Sequence, residues 1–309
     1  MKIIHAARDL EPQGGRVCLA IGFFDGVHLG HQQIIRQTIA DARQHDARAV
    51  AVTFDQHPGT IVAPDRVPPL IYSLSQKLRA IESLGADALL LIHFDQAFSA
   101  QTGETFIRGL ARDFGRIRSL CVGSAFVFGH KRGGNVALLK KLGMELQFTV
   151  HGLAAVSLGG KTVSSTRIRE RIRAGDLDAA GQMLGRAWAL AGRVTRGDRL
   201  GHQLGFPTAN LDATGLVLPP GGVYAAHARI LSANTMHRAV VNIGSRPTLQ
   251  NATPQLRVEA HLLDFSGDLY DQELEVAFLD KLRDEKKFPS LDELKAQIAR
   301  DIIEAGKRF

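Results

Sequence analysis

Nothing in this sequence approaches the roughly 18–20 consecutive apolar residues that a membrane-crossing helix requires, so no membrane span or membrane partner is expected. Cysteine is scarce, with two in 309 residues. Cys18 and Cys121 each sit in a short apolar run, which predicts reduced core thiols rather than a disulfide framework. The opening Met1-Lys2-Ile3-Ile4-His5 lacks the ordered regions of a secretory signal, and a cytoplasmic location is the simple expectation. The net charge of +7 suits anionic substrates and would also suit nucleic acid, and does not choose between them. No block of lysine and arginine interleaved with aromatics occurs, which tells against nucleic acid as a partner. Internal repeats and low-complexity tracts are also missing. A hydrophobic content of 45% and a charged content of 22% fit a soluble globular chain long enough for two domains.

What is present is organised around Gly22-Phe23-Phe24-Asp25-Gly26-Val27-His28-Leu29-Gly30-His31. Val17 to Ile21 reads as a buried strand. Beyond the glycines, the spacing of Ile34, Ile35, Ile39 and Ala42 predicts a helix. His28 and His31 then share one face at a helix N-terminus, where unpaired N–H groups and the helix dipole favour an anion. Glycines 26 and 30 let a bulky group approach the backbone. This combination points to phosphate. A zinc site would need further His, Cys or carboxylate ligands, and no compact cluster follows. The plainer alternative is a glycine-rich turn with incidental histidines.

Residues 1–185 alternate short apolar runs (Val17–Ile21, Ala49–Thr53, Ala88–Ile92, Ser119–Val122) with helical patterns. That alternation predicts a doubly wound parallel sheet whose ligands bind beyond the strand C-termini. After Leu184-Gly185-Arg186 the texture changes. Trp188–Thr195, Val223–Ile230, Arg238–Asn242, Arg257–Leu263 and Leu274–Phe278 predict a small antiparallel β-barrel over 186–309, closed by a C-terminal helix from Leu291 to Ala305.

Other stretches carry chemistry with plainer alternatives beside it. Thr53-Phe54-Asp55-Gln56-His57-Pro58 reads as a loop, since Pro58 holds His57 extended. Phe126 and Phe128 suit an aromatic ligand, although phenylalanine is ordinarily core. Leu158-Gly159-Gly160-Lys161-Thr162 is not a P-loop, because Ala155 stands where its first glycine is needed. Ser164, Ser165 and Thr166 precede a helix bearing Arg169; hydroxyls and arginines at a helix start suit a triphosphate, and a solvated basic helix is the alternative. Glycines 201 and 205 lie in a loop predicted to approach a ligand, which ends in the stiff segment Phe206-Pro207-Thr208-Ala209-Asn210. Glu259, alternating with Val258 and Ala260, would by itself be a solvent-facing strand residue.

Gly22 to His31 resembles the nucleotidyltransferase signature, in the form found in bacterial bifunctional riboflavin kinase/FAD synthetases. The resemblance extends over essentially the whole chain. Thr-Phe-x-x-His-Pro, Val-Gly-x-x-Phe-x-Phe-Gly and Ser-Ser-Thr-x-x-Arg elements follow in family order, as do Gly-Phe-Pro-Thr-Ala-Asn, Asn242–Thr248, Val258–Asp264 and Leu282–Phe288. The chain departs from the pattern at Ala125, where the family normally offers a polar side chain. The resemblance implies two reactions: riboflavin plus ATP gives FMN and ADP, and FMN plus ATP gives FAD and pyrophosphate. Attack falls on the γ-phosphate in one and the α-phosphate in the other, so two sites are needed. It implies that His28 and His31 contact the reacting phosphates, with Gly22, Phe24, Asp25, Gly30, Ser164, Ser165, Thr166 and Arg169 binding nucleotide. His57, Phe126, Phe128 and Arg283 would meet flavin. Gly201 and Gly205 would approach the second nucleotide, Thr208 and Asn210 would hold its Mg2+, and Glu259 would be the base. Two alternatives remain: a kinase whose adenylyl transfer is impaired by Ala125, and a flavin- or nucleotide-binding regulator without turnover.

Overall fold

Six strands, β1 (Lys2–Ile4), β2 (Arg16–Ile21), β3 (Arg48–Phe54), β4 (Ala88–Ile92), β5 (Arg116–Gly123) and β6 (Thr149–Leu153), form a parallel sheet in the order β1-β4-β3-β2-β5-β6. The computed structural model describes residues 1–10, 15–197, 200–245 and 256–309. Along β2, Val17, Leu19 and Ile21 enter one core while Cys18 and Ala20 enter another, as a period of two requires. The first core is closed by α3 (Gly103–Phe114) and α4 (Val136–Leu146); the second by α1 (Leu29–Gln44) and α2 (Leu74–Glu82). Burial on both faces is why the central strands are continuous apolar runs in the sequence. The sheet is doubly wound as expected. β1 and β6 were not legible because they are edge strands: only Ile4 of β1 is buried, and β6 carries His151 and Gly152.

The chain runs from β2 outward through β3 and β4, then crosses back to β5 on the other side of β2. That reversal creates a crevice at the strand C-termini. The loops after β3, β2 and β5, three neighbouring strands, all emerge at this edge.

Packing divides the chain into Met1–Arg167 with Met183–Gly185, and Ile168–Gln182 with Arg186–Phe309. Helix α5 (Ser165–Arg173) begins in the first unit, and α6 (Leu177–Leu184) follows it. In the second unit, β7 (Ala189–Thr195), β8 (Ala209–Leu211), β9 (Gly222–Ile230), β10 (Thr235–Ser245), β11 (Leu256–Leu262) and β12 (Glu273–Arg283) close an antiparallel barrel in the order β7-β8-β11-β10-β9-β12. The glycine-rich run expected as a loop contains a helical turn, Leu200–Gln203, and ends in β8, because Asn210 and Leu211 pair with Thr195 and Val194 on one side and Glu259 and Val258 on the other. β12 continues beyond its apolar part through exposed Leu279 and Asp280, where its pairing with β9 shifts register. Helix α7 (Leu291–Gly306) packs Ala305 and Ile302 against Val223, Ala225 and Val240. Among the described residues no helix is long and apolar enough to cross a membrane.

Candidate functional sites

In the first unit, the loop after β2 turns through left-handed backbone at Phe24 (φ +56°), Gly26 (φ +74°) and Val27 (φ +42°). This delivers His28 to the N-cap of α1, where its Nδ1 accepts the His31 N–H at 3.4 Å. The two imidazoles stack with centroids 3.6 Å apart and planes 19° apart. A Cβ at Gly30 would meet the His28 ring at 3.2 Å, so glycine gives the stack its room. Phe24 lies in the core with its ring edge-on to His31 at 5.3 Å. Burial first, then His28 and Lys77, hold the His31 imidazole well below its ordinary value, so it is neutral near pH 7. His31 Nδ1 is buried without a hydrogen-bond partner.

The neighbouring elements converge on this turn. The Gly22 N–H donates to Val52 O at 3.1 Å, and Thr53 Oγ1 donates to Phe23 O at 3.0 Å. His57 accepts the Gly59 N–H on Nδ1 at 2.9 Å and lies edge-to-face with Phe23 at 4.9 Å. Asp25 is buried, and its carboxylate accepts the Ile71 N–H at 2.9 Å. Its carbonyl accepts Ser165 Oγ–H at 3.2 Å, joining two motifs 140 residues apart. Ser164 accepts the Arg167 N–H at 3.3 Å and Thr166 is exposed, whereas Arg169, further along α5, is buried and belongs to the second packing unit. Phe126 and Phe128 stack at 5.2 Å beside the first core, and Ala125 next to them is exposed. Gly159 and Gly160, both with positive φ, turn a hairpin between Ser157–Leu158 and Lys161–Thr162 instead of forming a phosphate loop.

Sequence reasoning missed two residues here. Gln32 donates from Nε2 to Val27 O at 3.0 Å and Leu184 O at 2.7 Å, fastening the loop from below. Lys77 is buried beneath Phe23, with its ammonium 4.4 Å from that ring's centroid. Its signal was a lysine on the apolar face of α2, at i+3 from Leu74 and i−4 from Ile81.

In the second unit the site is written across the barrel. Asn210 stands opposite Glu259, Glu259 opposite Asn242, Asn242 opposite Val223, and Val223 opposite Arg283. This single row across five strands lines a cleft of about 590 Å3. Two further clefts, of about 260 and 460 Å3, share His202, Pro207, Thr208 and Tyr270. Thr208 lines all three clefts. His261 Nδ1 lies 2.7 Å from Pro207 O, and since a carbonyl only accepts, that nitrogen carries the hydrogen and steadies the segment before Thr208. A Cβ at Gly201 would come within 2.5 Å of Phe206 O and 3.1 Å of Thr208 Oγ1, while Gly205 takes φ +87°. Arg283 presents its fork to Asp301, with Nε 2.9 Å from Oδ1 and Nη2 2.7 Å from Oδ2. Asp301 was not singled out from the sequence, and Asn242 entered only as the start of the Asn242–Thr248 element, without a role. The former sits in an amphipathic helix as an ordinary polar residue would, and only strand register brings the latter beside Glu259.

Among the described residues no three His, Cys, Asp or Glu side chains cluster as a metal site. The oxygens of Thr208 and Asn210, at the junction of the clefts, are the hard donors that Mg2+ takes alongside phosphate and water. Residues 198, 199 and 246–248 of the sequence motifs lie outside the described residues.

Comparison with known proteins matches the chain to two family models in succession. The FAD synthetase family model matches residues 11–167 and the riboflavin kinase model residues 184–309. The bifunctional riboflavin kinase/FMN adenylyltransferase of Escherichia coli K12 is 39% identical, covering 100% of this chain and 98% of that protein. The Haemophilus influenzae protein of the same description is 37% identical over 94% of this chain and 93% of its own, and that of Pseudomonas fluorescens 35% over 99% and 97%. A crystal structure described as a macrolide-efflux protein from Streptococcus pneumoniae is 27% identical with a TM-score of 0.78, covering 97% of this chain and 96% of that one. With both family models matched in order and relatives aligned along its whole length, the chain belongs to the bifunctional riboflavin kinase/FMN adenylyltransferase family.

Proposed function

We propose that residues 186–309 phosphorylate riboflavin with ATP to give FMN and ADP, and that residues 1–185 adenylylate FMN with a second ATP to give FAD and pyrophosphate. The observation that supports this reading is that the two units carry two unlike polar clusters, each suited to phosphate. One is a stacked histidine pair at a helix N-terminus, and the other a carboxylate and two asparagines in register inside a barrel cleft.

In the kinase, riboflavin occupies the large cleft with its 5′-hydroxyl toward Glu259. Arg283 and the aromatic wall at Phe288 flank the flavin. The phosphates of ATP enter from the side of Gly201, Gly205 and Thr208. Glu259 accepts the hydroxyl proton as that oxygen attacks the γ-phosphorus and ADP leaves. Thr208 and Asn210 would hold Mg2+, which when bound neutralises phosphate charge.

In the adenylyltransferase, a phosphate oxygen of FMN attacks the α-phosphorus of ATP and pyrophosphate leaves. No protein nucleophile is needed, so positioning and charge stabilisation carry the rate. His28 and neutral His31 face the reacting phosphates beside the loop of Gly22, Phe24, Asp25 and Gly30. Ser164, Ser165, Thr166 and Arg169 hold the departing pyrophosphate, and His57, Phe126 and Phe128 border the flavin. The free thiols Cys18 and Cys121, both buried, suit a reducing compartment such as the cytoplasm.

Incubating the protein with riboflavin, ATP and Mg2+ and separating the products chromatographically tests this. FMN and FAD are both expected. FMN alone would remove the first activity, and neither product would leave a binding protein.

A further inference from the structure

Lys77 takes no part in the chemistry above, yet it is 4% exposed at the sheet edge where that chemistry is placed. Its ammonium donates to Phe54 O at 2.7 Å and reaches Phe23 O and Thr53 Oγ1 at 3.4 and 3.5 Å. Phe54 is the last residue of β3, and Phe23 lies just past the end of β2. These are the points where the loops bearing His57 and the histidine pair leave the sheet. Packing alone does not explain a cation here, because a methionine would fill the same space without losing hydration. Burial is the main cause that brings Lys77 down to about 8, against the pull of Asp25 and Asp55.

We propose that Lys77 is a positioning residue for adenylyl transfer, its ammonium locking the ends of β2 and β3 together and so setting the histidine pair against the His57 side of the site. The proposal rests on the adenylyltransferase assignment of this unit. Displacement of reacting groups by an ångström is enough to slow a reaction held by geometry. The lock therefore acts on turnover more than on substrate affinity.

The test uses the full chain, with FAD formation from FMN and ATP as the readout and riboflavin phosphorylation as internal control. Lys77→Met should lower kcat for FAD formation about 100-fold, with both KM values within about threefold and FMN formation unchanged. Lys77→Arg, which keeps the cation, should recover about tenfold or more of that loss. In the parent, FAD formation should fall as pH rises through about 8, where Lys77 loses its proton. The groups facing it are the carboxylates of Asp25 and Asp55 and the imidazole of His31, with His93 on the far side of Asp55. Carboxylates ordinarily ionise near pH 4, and His31 is already neutral. His93 is raised by its hydrogen bond to Asp55, but Lys77→Arg leaves it in place. The alkaline fall should therefore vanish in Lys77→Arg.

A parent that makes no FAD would defeat the adenylyltransferase assignment and this proposal with it. If the parent makes FAD and Lys77→Met keeps kcat within about twofold, only the positioning role is overturned. Should Lys77→Met fail to fold, the arginine variant decides, and an alkaline fall that persists in it would overturn the role.

Discussion

In the parallel-sheet unit the candidate site is assembled from loops beyond the strand ends, whereas in the barrel the candidate site is carried on the strands themselves. The first depends on backbone turns: three left-handed residues among the four from Phe24 to Val27, a glycine under a ring stack, and a cap supplied by His28. The second depends on register, which sets Asn210, Glu259, Asn242 and Arg283 in one row. The contrast follows from topology. Parallel strands covered by helices on both faces offer only their ends to a ligand, while a barrel interior offers alternate residues along its strands. One consequence is that single side chains should dominate the barrel chemistry, and shared geometry the other.

The largest effect is expected at Glu259. Glu259→Gln should slow riboflavin phosphorylation about 1000-fold while FAD formation from supplied FMN stays at the parental rate. FMN production at parental speed would show that another group takes the proton. Next comes His31→Asn, for which kcat of FAD formation should drop about 100-fold with the kinase untouched; equal loss of both activities would mean the two units are not independent. Asp301→Ala strips the partner from a mostly buried guanidinium and should destabilise the barrel by about 3 kcal/mol. Trp188 is the only tryptophan and is buried against Phe278, so its fluorescence on heating reports this unit, and an unchanged transition would discount the ion pair. The smallest change is Ala125→Asn, where one added hydrogen bond should lower KM for FMN about fivefold. Identical kinetics would remove that position from flavin binding.

Much of the fold could be read before the structure. The central strands β2, β3, β4 and β5 announce themselves because both faces are dry, and the helices between them because one face is. The edge strands β1 and β6 do not, since half-exposed residues break the pattern. β8 was hidden inside a glycine-rich run, where three residues suffice to pair on both sides. Among the candidate site residues, the placing of His28 and His31 at a helix start was legible from a strand, glycines and a helical period. Lys77 left a visible mark, a charge on an apolar stripe, but nothing local says which carbonyls it meets.

From its sequence alone, this protein's alternation of strands and helices, the change to closely spaced strands near residue 186, and the seating of a histidine pair at a helix start were settled. Those features obey short-range rules of periodicity and capping, which act over a few residues. Tertiary structure alone decided that Ser165 donates to Asp25, that Asp301 grips Arg283, and that Asn242 stands beside Glu259. Those partners are brought together by strand order and register, and a chain's local preferences carry no record of which distant segment will lie alongside.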